Sequence, residues 1–276
     1  MPELPEVETV RRGLEKLVLD KKVKKVDVLY EKMIVGDAKE FADKLTGQTI
    51  EKIGRRGKYL LFYFSNDLTM ISHLRMEGKY YVKKPTDELS KHTHVIFWLD
   101  DGTQLRYNDV RKFGRMQLVK TGTEEQVSGL TKLGPEPTEK DFDANTFYKQ
   151  LQKKKKNIKT ALLDQTLVTG LGNIYVDEVL WQSKIHPLTA CQKLTLEKAN
   201  TLHDNIISEL DKAIKAGGTT IRSYTDAFQK TGNFQFELDV YGRAGEPCRR
   251  CQTKIEKIVV GQRGTHFCPK CQQVVK

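Results

Sequence analysis

Four cysteines near the C-terminus fall into two close pairs, Cys248-x2-Cys251 and Cys268-x2-Cys271, with 16 residues (252–267) between them. Each pair suits a tight turn, and a hairpin between the pairs would gather four thiolates into the tetrahedron that Zn2+ prefers. Four sulfur ligands close the coordination sphere, so the spacing predicts one structural ion with no open position for an activated water. Cys191 stands apart, and an odd total of five argues against a disulfide framework. Between the pairs, "IEKIVVGQRGTHF" reads as a hairpin in which Gly261 and Gly264 bracket Arg263 in the turn. That guanidinium is either an ordinary solvated turn residue or a phosphate contact.

The opening "MPELPEVETV" crowds Pro2, Glu3, Pro5 and Glu6 together. Met1 precedes a small residue, so its removal is expected, leaving Pro2 with a free secondary amine. An α-amino group titrates near about 8 and a lysine near about 10.4, so at neutral pH the terminus offers far more unprotonated nucleophile. Such an amine attacking a sugar C1′ forms an iminium, which makes the neighbouring C2′ proton easier to remove. Glu3 lies beside it and Glu6 one helical turn on, suited to a proton shuttle and an anchor. Acids in a first helical turn are also ordinary capping chemistry, and these residues alone leave both readings open.

The elements that must position these groups follow from periodicity. Val7, Val10, Leu14 and Leu17 step by three and four, predicting an amphipathic helix over 5–17 with Pro5 in its first turn. Residues 22–119 read as short strands, "KVKKVDVLY", "YLLFYF" and "HVIFWLD" among them, with a hairpin dipeptide at Asp101-Gly102, and imply a sandwich or barrel. Proline, glycine and charge interrupt the pattern at "KLGPEPTEKDF" (132–142), and helical periodicity follows. The clearest later helix begins at Thr195, buries Ala199, Leu202, Ile206, Leu210 and Ala213, and stops at Gly217-Gly218. Residues 217–235 read as a long loop. The expected division is 1–131, 132–235 and 236–276.

Lysine and arginine total 47 against 36 acidic residues, a formal +11 that favours a polyanionic partner, nucleic acid or an acidic membrane face. No apolar run reaches the roughly 20 residues that span a bilayer, and no signal-peptide layout opens the chain, so a cytoplasmic protein is expected. The "KKKK" run at 153–156 is a solvated surface or a phosphate contact.

Five separated stretches, "PELPEVETVRRGL", "ISHLRMEGKY", "DVRKFG", "GLGNIYVDEVL" and "GTHFCPKCQ", occur in this order. Together with the cysteine ribbon they resemble the bacterial formamidopyrimidine-DNA glycosylases over almost the whole chain. The resemblance implies an α+β fold: an N-terminal helix with a β-sandwich, a helix-two-turn-helix domain and a zinc ribbon. It implies base excision repair of oxidised purines, 8-oxoguanine and formamidopyrimidines, followed by β- and δ-elimination. Pro2 would be the Schiff-base nucleophile, Glu3 the general acid/base and Glu6 its support. Lys58 would assist β-elimination and Arg263 δ-elimination.

By the same resemblance Met76, Arg111 and Phe113 fill the gap left by the extruded nucleotide, an apolar and an aromatic wedge suiting that task. Arg111 would face the estranged cytosine, which its fixed fork of donors can satisfy. Asn173 opens a helix after "TGLG" where N–H groups can meet a phosphate. His92, Lys154 and Lys159 also fall where the family contacts DNA. The expected cofactor is one structural Zn2+ and the partner double-stranded DNA containing an oxidised purine, bound by a monomer at the nucleoid. Gln262, Arg115 and "TDAFQKTGNFQ" depart from the family wording and bear on lesion preference. The alternatives are a sister glycosylase for oxidised pyrimidines and a non-catalytic zinc-ribbon DNA-binding protein.

Overall fold

The computed structural model describes residues 1–219 and 234–274, so most of the loop expected at 217–235 lies outside the described residues. The chain forms two compact units, Met1–Thr131 with Gly217–Asn233, and Lys132–Ala216 with Phe234–Lys276. Among the described residues no helix is long and apolar enough to cross a membrane.

In the first unit α1 (Leu4–Val18) buries Val7, Val10, Leu14 and Val18, while Leu17 at the edge of the stripe is only partly covered. The chain continues through β1 (Val23–Val28), β2 (Ile34–Val35), α2 (Ala38–Leu45), β3 (Ile50–Arg56), β4 (Tyr59–Phe64), β5 (Leu68–His73), β6 (Lys79–Lys83), β7 (Thr93–Leu99), β8 (Gln104–Asn108) and β9 (Arg115–Lys120). These strands make two sheets, β1-β7-β8-β6 and β2-β9-β5-β4-β3, antiparallel throughout except where the short β2 joins β9 in parallel. Val95, Phe97, Leu105 and Tyr107 of the first sheet share one core with Ile53, Leu60, Phe62 and Met70 of the second. Phe62 and Tyr80 touch across the sandwich with ring centroids 5.5 Å apart. Each such side chain taken from water contributes about 1.5–3 kcal/mol, so the apolar alternation of the strands fixes the sandwich.

The second unit holds α3 (Ala144–Gln152), α4 (Ile158–Leu163), α5 (Asn173–Gln182), α6 (Leu196–Lys215), β10 (Glu256–Val260) and β11 (Arg263–Phe267). Side chains of Asp143, Asn157 and Thr195 accept N–H bonds at the starts of α3, α4 and α6, which satisfies donors that have no partner inside the helix. Helix α5 is buried almost all round, its acids Asp177 and Glu178 included. The Glu178 carboxylate accepts the N–H groups of Asp239, Val240 and Tyr241 at 2.7, 3.0 and 2.7 Å, tying α5 to the segment that enters the ribbon. The ribbon packs Val240, Cys248, Ile255 and Cys268 around Trp181, and the Arg250 guanidinium lies 3.8 Å from the centroid of that indole.

The hairpin turn differs from the expected one by a residue or two. Val260 pairs with Arg263, so the two-residue loop is Gly261-Gln262, at φ +55° and +62°, and Arg263 opens β11. Two consecutive left-handed residues are what the right-handed strand twist requires. A Cβ on Gly261 would also stand 2.6 Å from Thr160 Cγ2.

Candidate functional site

In the first unit Pro2, Glu3 and Glu6 are buried together at the start of α1. Glu6 uses both carboxylate oxygens: Oε2 accepts the Glu3 N–H at 2.8 Å, and Oε1 accepts the N–H and hydroxyl of Thr219 at 2.8 and 3.1 Å. The first bond is half of a capping box, and the second fixes the same carboxylate to a residue 213 positions away. Glu6 therefore braces the Pro2-Glu3 peptide against the body of the unit. Gly218, at φ +75°, allows the approach: a Cβ there would lie 2.7 Å from Glu6 Oε1.

Lys58 sits in the two-residue turn between β3 and β4, where Arg56 pairs with Tyr59, yet it is buried. A chain of contacts leads to it from α1. Glu8 accepts from Arg11, Arg12 and Arg55, and Arg55 donates on to the Gly57 carbonyl at 2.8 Å. The charges of Lys58 and Arg75 both reach His73, a buried imidazole that sequence reading did not single out although "ISHLRMEGKY" contains it. Burial first, then those two cations, push the His73 pKa down to about 3, so it is neutral at physiological pH. Its Nδ1 accepts the Arg75 N–H at 2.9 Å, so Nδ1 is the unprotonated nitrogen. That bond shapes the start of the β5–β6 loop, on which Met76 is half-buried.

The loop between β8 and β9 carries the remaining residues of this group. Arg111 is exposed, Phe113 is 47% exposed, and the guanidinium carbon lies 4.7 Å from the ring centroid. His92 is half-buried beside this loop, with its carbonyl accepting the Asp109 N–H at 3.0 Å.

In the second unit Asn173 stands at the N-terminus of α5 and donates from Nδ2 to the Gly264 carbonyl at 2.8 Å, while its Oδ1 is buried without a partner. The preceding turn is held by Gln165, which accepts from the Gly170 N–H at 2.8 Å and donates to the Leu171 carbonyl. Arg263 is exposed and enters no ion pair among the described residues, the state that suits a phosphate contact. Lys154 turns inward to Thr166 at 2.8 Å and Asp164 at 3.5 Å, whereas Lys153 and Lys155 of the same run are exposed.

Lys159 departs from the expectation of a DNA contact. Its side chain and that of Asp177 are both 0% exposed, and Nζ lies 2.6 Å from Asp177 Oδ1. Asp177 Oδ2 in turn accepts the backbone N–H of His266 at 2.8 Å. The ammonium is engaged inside the protein, linking α4 and α5 to β11. A lysine in "KKKKNIK" looks superficial, but the two acids inside the apolar run "NIYVDEVL" are the sequence signal of a buried charge.

The four Sγ atoms of Cys248, Cys251, Cys268 and Cys271 lie within 4.8 Å of one another, with Cys251–Cys268 at 3.4 Å and Cys248–Cys271 at 4.0 Å. A tetrahedral ion with sulfur at about 2.3 Å places its ligands about 3.8 Å apart, so the set fits one structural Zn2+. N–H groups of Arg250, Cys271 and the Trp181 indole point at the sulfurs at 3.4 Å, which stabilises thiolate charge.

Comparison with known proteins agrees with this arrangement. Residues 1–116 match the formamidopyrimidine-DNA glycosylase N-terminal domain, residues 133–225 the formamidopyrimidine-DNA glycosylase H2TH domain, and residues 245–274 a zinc finger found in FPG and IleRS. The formamidopyrimidine-DNA glycosylase of Ligilactobacillus salivarius is 69% identical over 99% of both chains, and that of Latilactobacillus sakei 57% identical over 99% of this chain and 98% of its own. Lactococcus lactis Fpg in complex with abasic-site DNA is 49% identical with a TM-score of 0.93, covering 98% of this chain and 99% of its own. MutM bound to DNA containing carbocyclic 8-oxo-G is 49% identical with a TM-score of 0.94, covering 99% and 100%. With an α1 start, an H2TH turn and a four-cysteine ribbon in the same order as these relatives, the chain belongs to the formamidopyrimidine-DNA glycosylase family.

Proposed function

We propose that this protein is a bifunctional DNA glycosylase and AP lyase of base excision repair, excising oxidised purines from double-stranded DNA. The observation that carries the reading is the buried Pro2-Glu3 peptide held by Glu6 at the tip of α1. Once Met1 is removed, the Pro2 nitrogen becomes a secondary α-amine, a group that binds its proton less tightly than a lysine does, bonded through its own chain to a rigid helix end. It attacks C1′ of the extruded nucleotide, the C1′–base bond breaks and the base leaves with the amine's proton; the C1′–O4′ bond then opens as O4′ takes a proton, giving an iminium between nitrogen and C1′. Loss of the C2′ proton expels the 3′ phosphate, and a second elimination expels the 5′ phosphate.

Glu3 carries the protons of these steps, while Glu6, already engaged by Glu3 and Thr219, supports it. Lys58 assists β-elimination and Arg263 δ-elimination. Met76 and Phe113 fill the vacated stack, Arg111 reads the opposite cytosine, and His92, Asn173 and the lysine run hold phosphates. The parts 1–131, 132–235 and 236–276 divide the labour into chemistry, lesion handling and a zinc-shaped phosphate grip. The protein is a bacterial DNA repair enzyme, and its place in the cell follows its substrate to the nucleoid.

Borohydride reduction on duplexes with one lesion opposite cytosine tests the reading. The processed chain is expected to form a covalent adduct at Pro2, and a form that retains one residue before Pro2 is expected to bind DNA without forming it. An undiminished adduct in the blocked form, or a linkage at another residue, would refute the assignment. The absence of any adduct from the processed chain would leave a passive DNA-binding protein.

A further inference from the structure

The loop from Val110 to Gly114 is fastened from two sides by residues outside the set assigned above. Asp109 is buried, and its two carboxylate oxygens accept different N–H groups of the loop, Arg111 at 3.0 Å and Gly114 at 2.7 Å. Its backbone is fixed as well: the N–H donates to His92 and the carbonyl accepts from His94 Nε2 at 2.8 Å. From the other side Arg115 donates to the carbonyls of Lys112 at 3.1 Å and Gly114 at 2.6 Å. Lys112, at φ +58°, folds back so that its ammonium lies 4.6 Å from the Tyr30 ring centroid. The consequence is a division of the loop: the exposed Arg111 and Phe113 stand against each other, while Lys112, exposed between them, turns to Tyr30.

The geometry points to Asp109 and Arg115 as positioning residues that set the opposite-base specificity of Arg111. This rests on the proposed reading of Arg111 as the residue facing the estranged base. Bidentate recognition discriminates only if the guanidinium plane is held at a fixed angle, because a mobile fork accommodates a wrong partner by turning. A carboxylate accepting two N–H groups and a guanidinium donating to two carbonyls leave the five-residue loop few alternative conformations.

The test measures single-turnover excision of one oxidised purine paired with cytosine or with adenine, and borohydride trapping on an abasic duplex with a gap opposite the site. Asp109→Asn presents an N–H group to one of the two loop N–H donors, and is expected to reduce the cytosine-over-adenine preference about tenfold, the equivalent of one charge-assisted hydrogen bond. Arg115→Ala, at an exposed position that threatens folding little, is expected to reduce it about threefold. Trapping on the gapped duplex should change much less than the preference does in both variants. In an Arg111→Ala background neither substitution should alter the preference further. An unchanged preference in both variants, a uniform loss across all duplexes, or an additional loss in the Arg111→Ala background would overturn the inference. Arg111→Ala retaining the full cytosine preference would instead refute the reading of Arg111 and this inference with it, while the chemistry at Pro2 stands on its own trapping result.

Discussion

Replacing Lys159 by Met removes one charge from a fully enclosed pair and leaves the other behind. The Asp177 carboxylate would keep the His266 N–H at 2.8 Å and the imidazole Nδ1 at 3.4 Å, but it would lose the ammonium at 2.6 Å. Stranding a buried charge in this way costs about 3–5 kcal/mol, against about 0–1 kcal/mol for an exposed pair. Set against a domain stability of about 5–15 kcal/mol, the loss is large. The double variant Lys159→Met with Asp177→Leu removes both charges and leaves mainly the His266 N–H unpaired, at about 1–3 kcal/mol. The double variant should therefore be more stable than the single one. The two tryptophans fall one to each unit, so in a Trp98→Phe background guanidinium unfolding followed by Trp181 fluorescence reports the second unit. Since Lys159 Nζ also lies 3.5 Å from the Gly264 carbonyl beside Arg263, the δ-elimination product should fall more than the β-elimination product. A Lys159→Met unfolding free energy within about 1 kcal/mol of the wild type, or a double variant less stable than the single one, would refute the reasoning.

Two further outcomes are expected. His73 is held neutral with its pKa pushed down to about 3, whereas an unfolded histidine titrates near about 6.5. Its contribution to stability is full above pH ~6.5 and is lost as pH falls towards 3, at up to about 1.4 kcal/mol per pH unit, because only the unfolded chain takes up the proton. Trp98 fluorescence in a Trp181→Phe background should show that slope between pH 6.5 and 5, and His73→Gln should flatten it. Gly218→Ala places a methyl 2.7 Å from Glu6 Oε1 at a left-handed backbone position, costing about 1–2 kcal/mol. Its effect should appear in the rate of Schiff-base trapping more than in DNA affinity, measured by quench-flow reduction and by titration of an unreactive abasic analogue.

Much of this arrangement was legible because local pattern and tertiary need coincide. The apolar steps of α1, the N-cap Thr195 and the paired cysteines each express a short-range rule that the fold obeys. The sandwich followed from alternation in the strands, although β2 was too short to show a pattern and pairs in parallel with a strand 80 residues later in the sequence. The roles of Lys159 and His73, and the distant partner through which Glu6 gives its support, were not legible. Each depends on a partner brought close by folding: Asp177 18 positions away, Thr219 213 positions away, and the charge of Lys58 across two strands. Burial converts an ordinary surface residue type into a structural charge, and burial is a property of the whole unit. The turn at Gly261-Gln262 was displaced from the expected one because strand register, not glycine content, decides which residues close a hairpin.

The bond between Glu6 and Thr219 also has a consequence for the order of synthesis. At about 5–20 residues per second the ribosome takes roughly 10–40 s to travel the 213 residues that separate them. Throughout that interval the nascent chain exposes its first helix with one oxygen of the Glu6 carboxylate still lacking its long-range donors. The brace on the Pro2-Glu3 peptide, the proposed reactive terminus, is thus completed near the end of translation, and an interrupted transcript yields a polypeptide in which Glu6 lacks its bonds to Thr219.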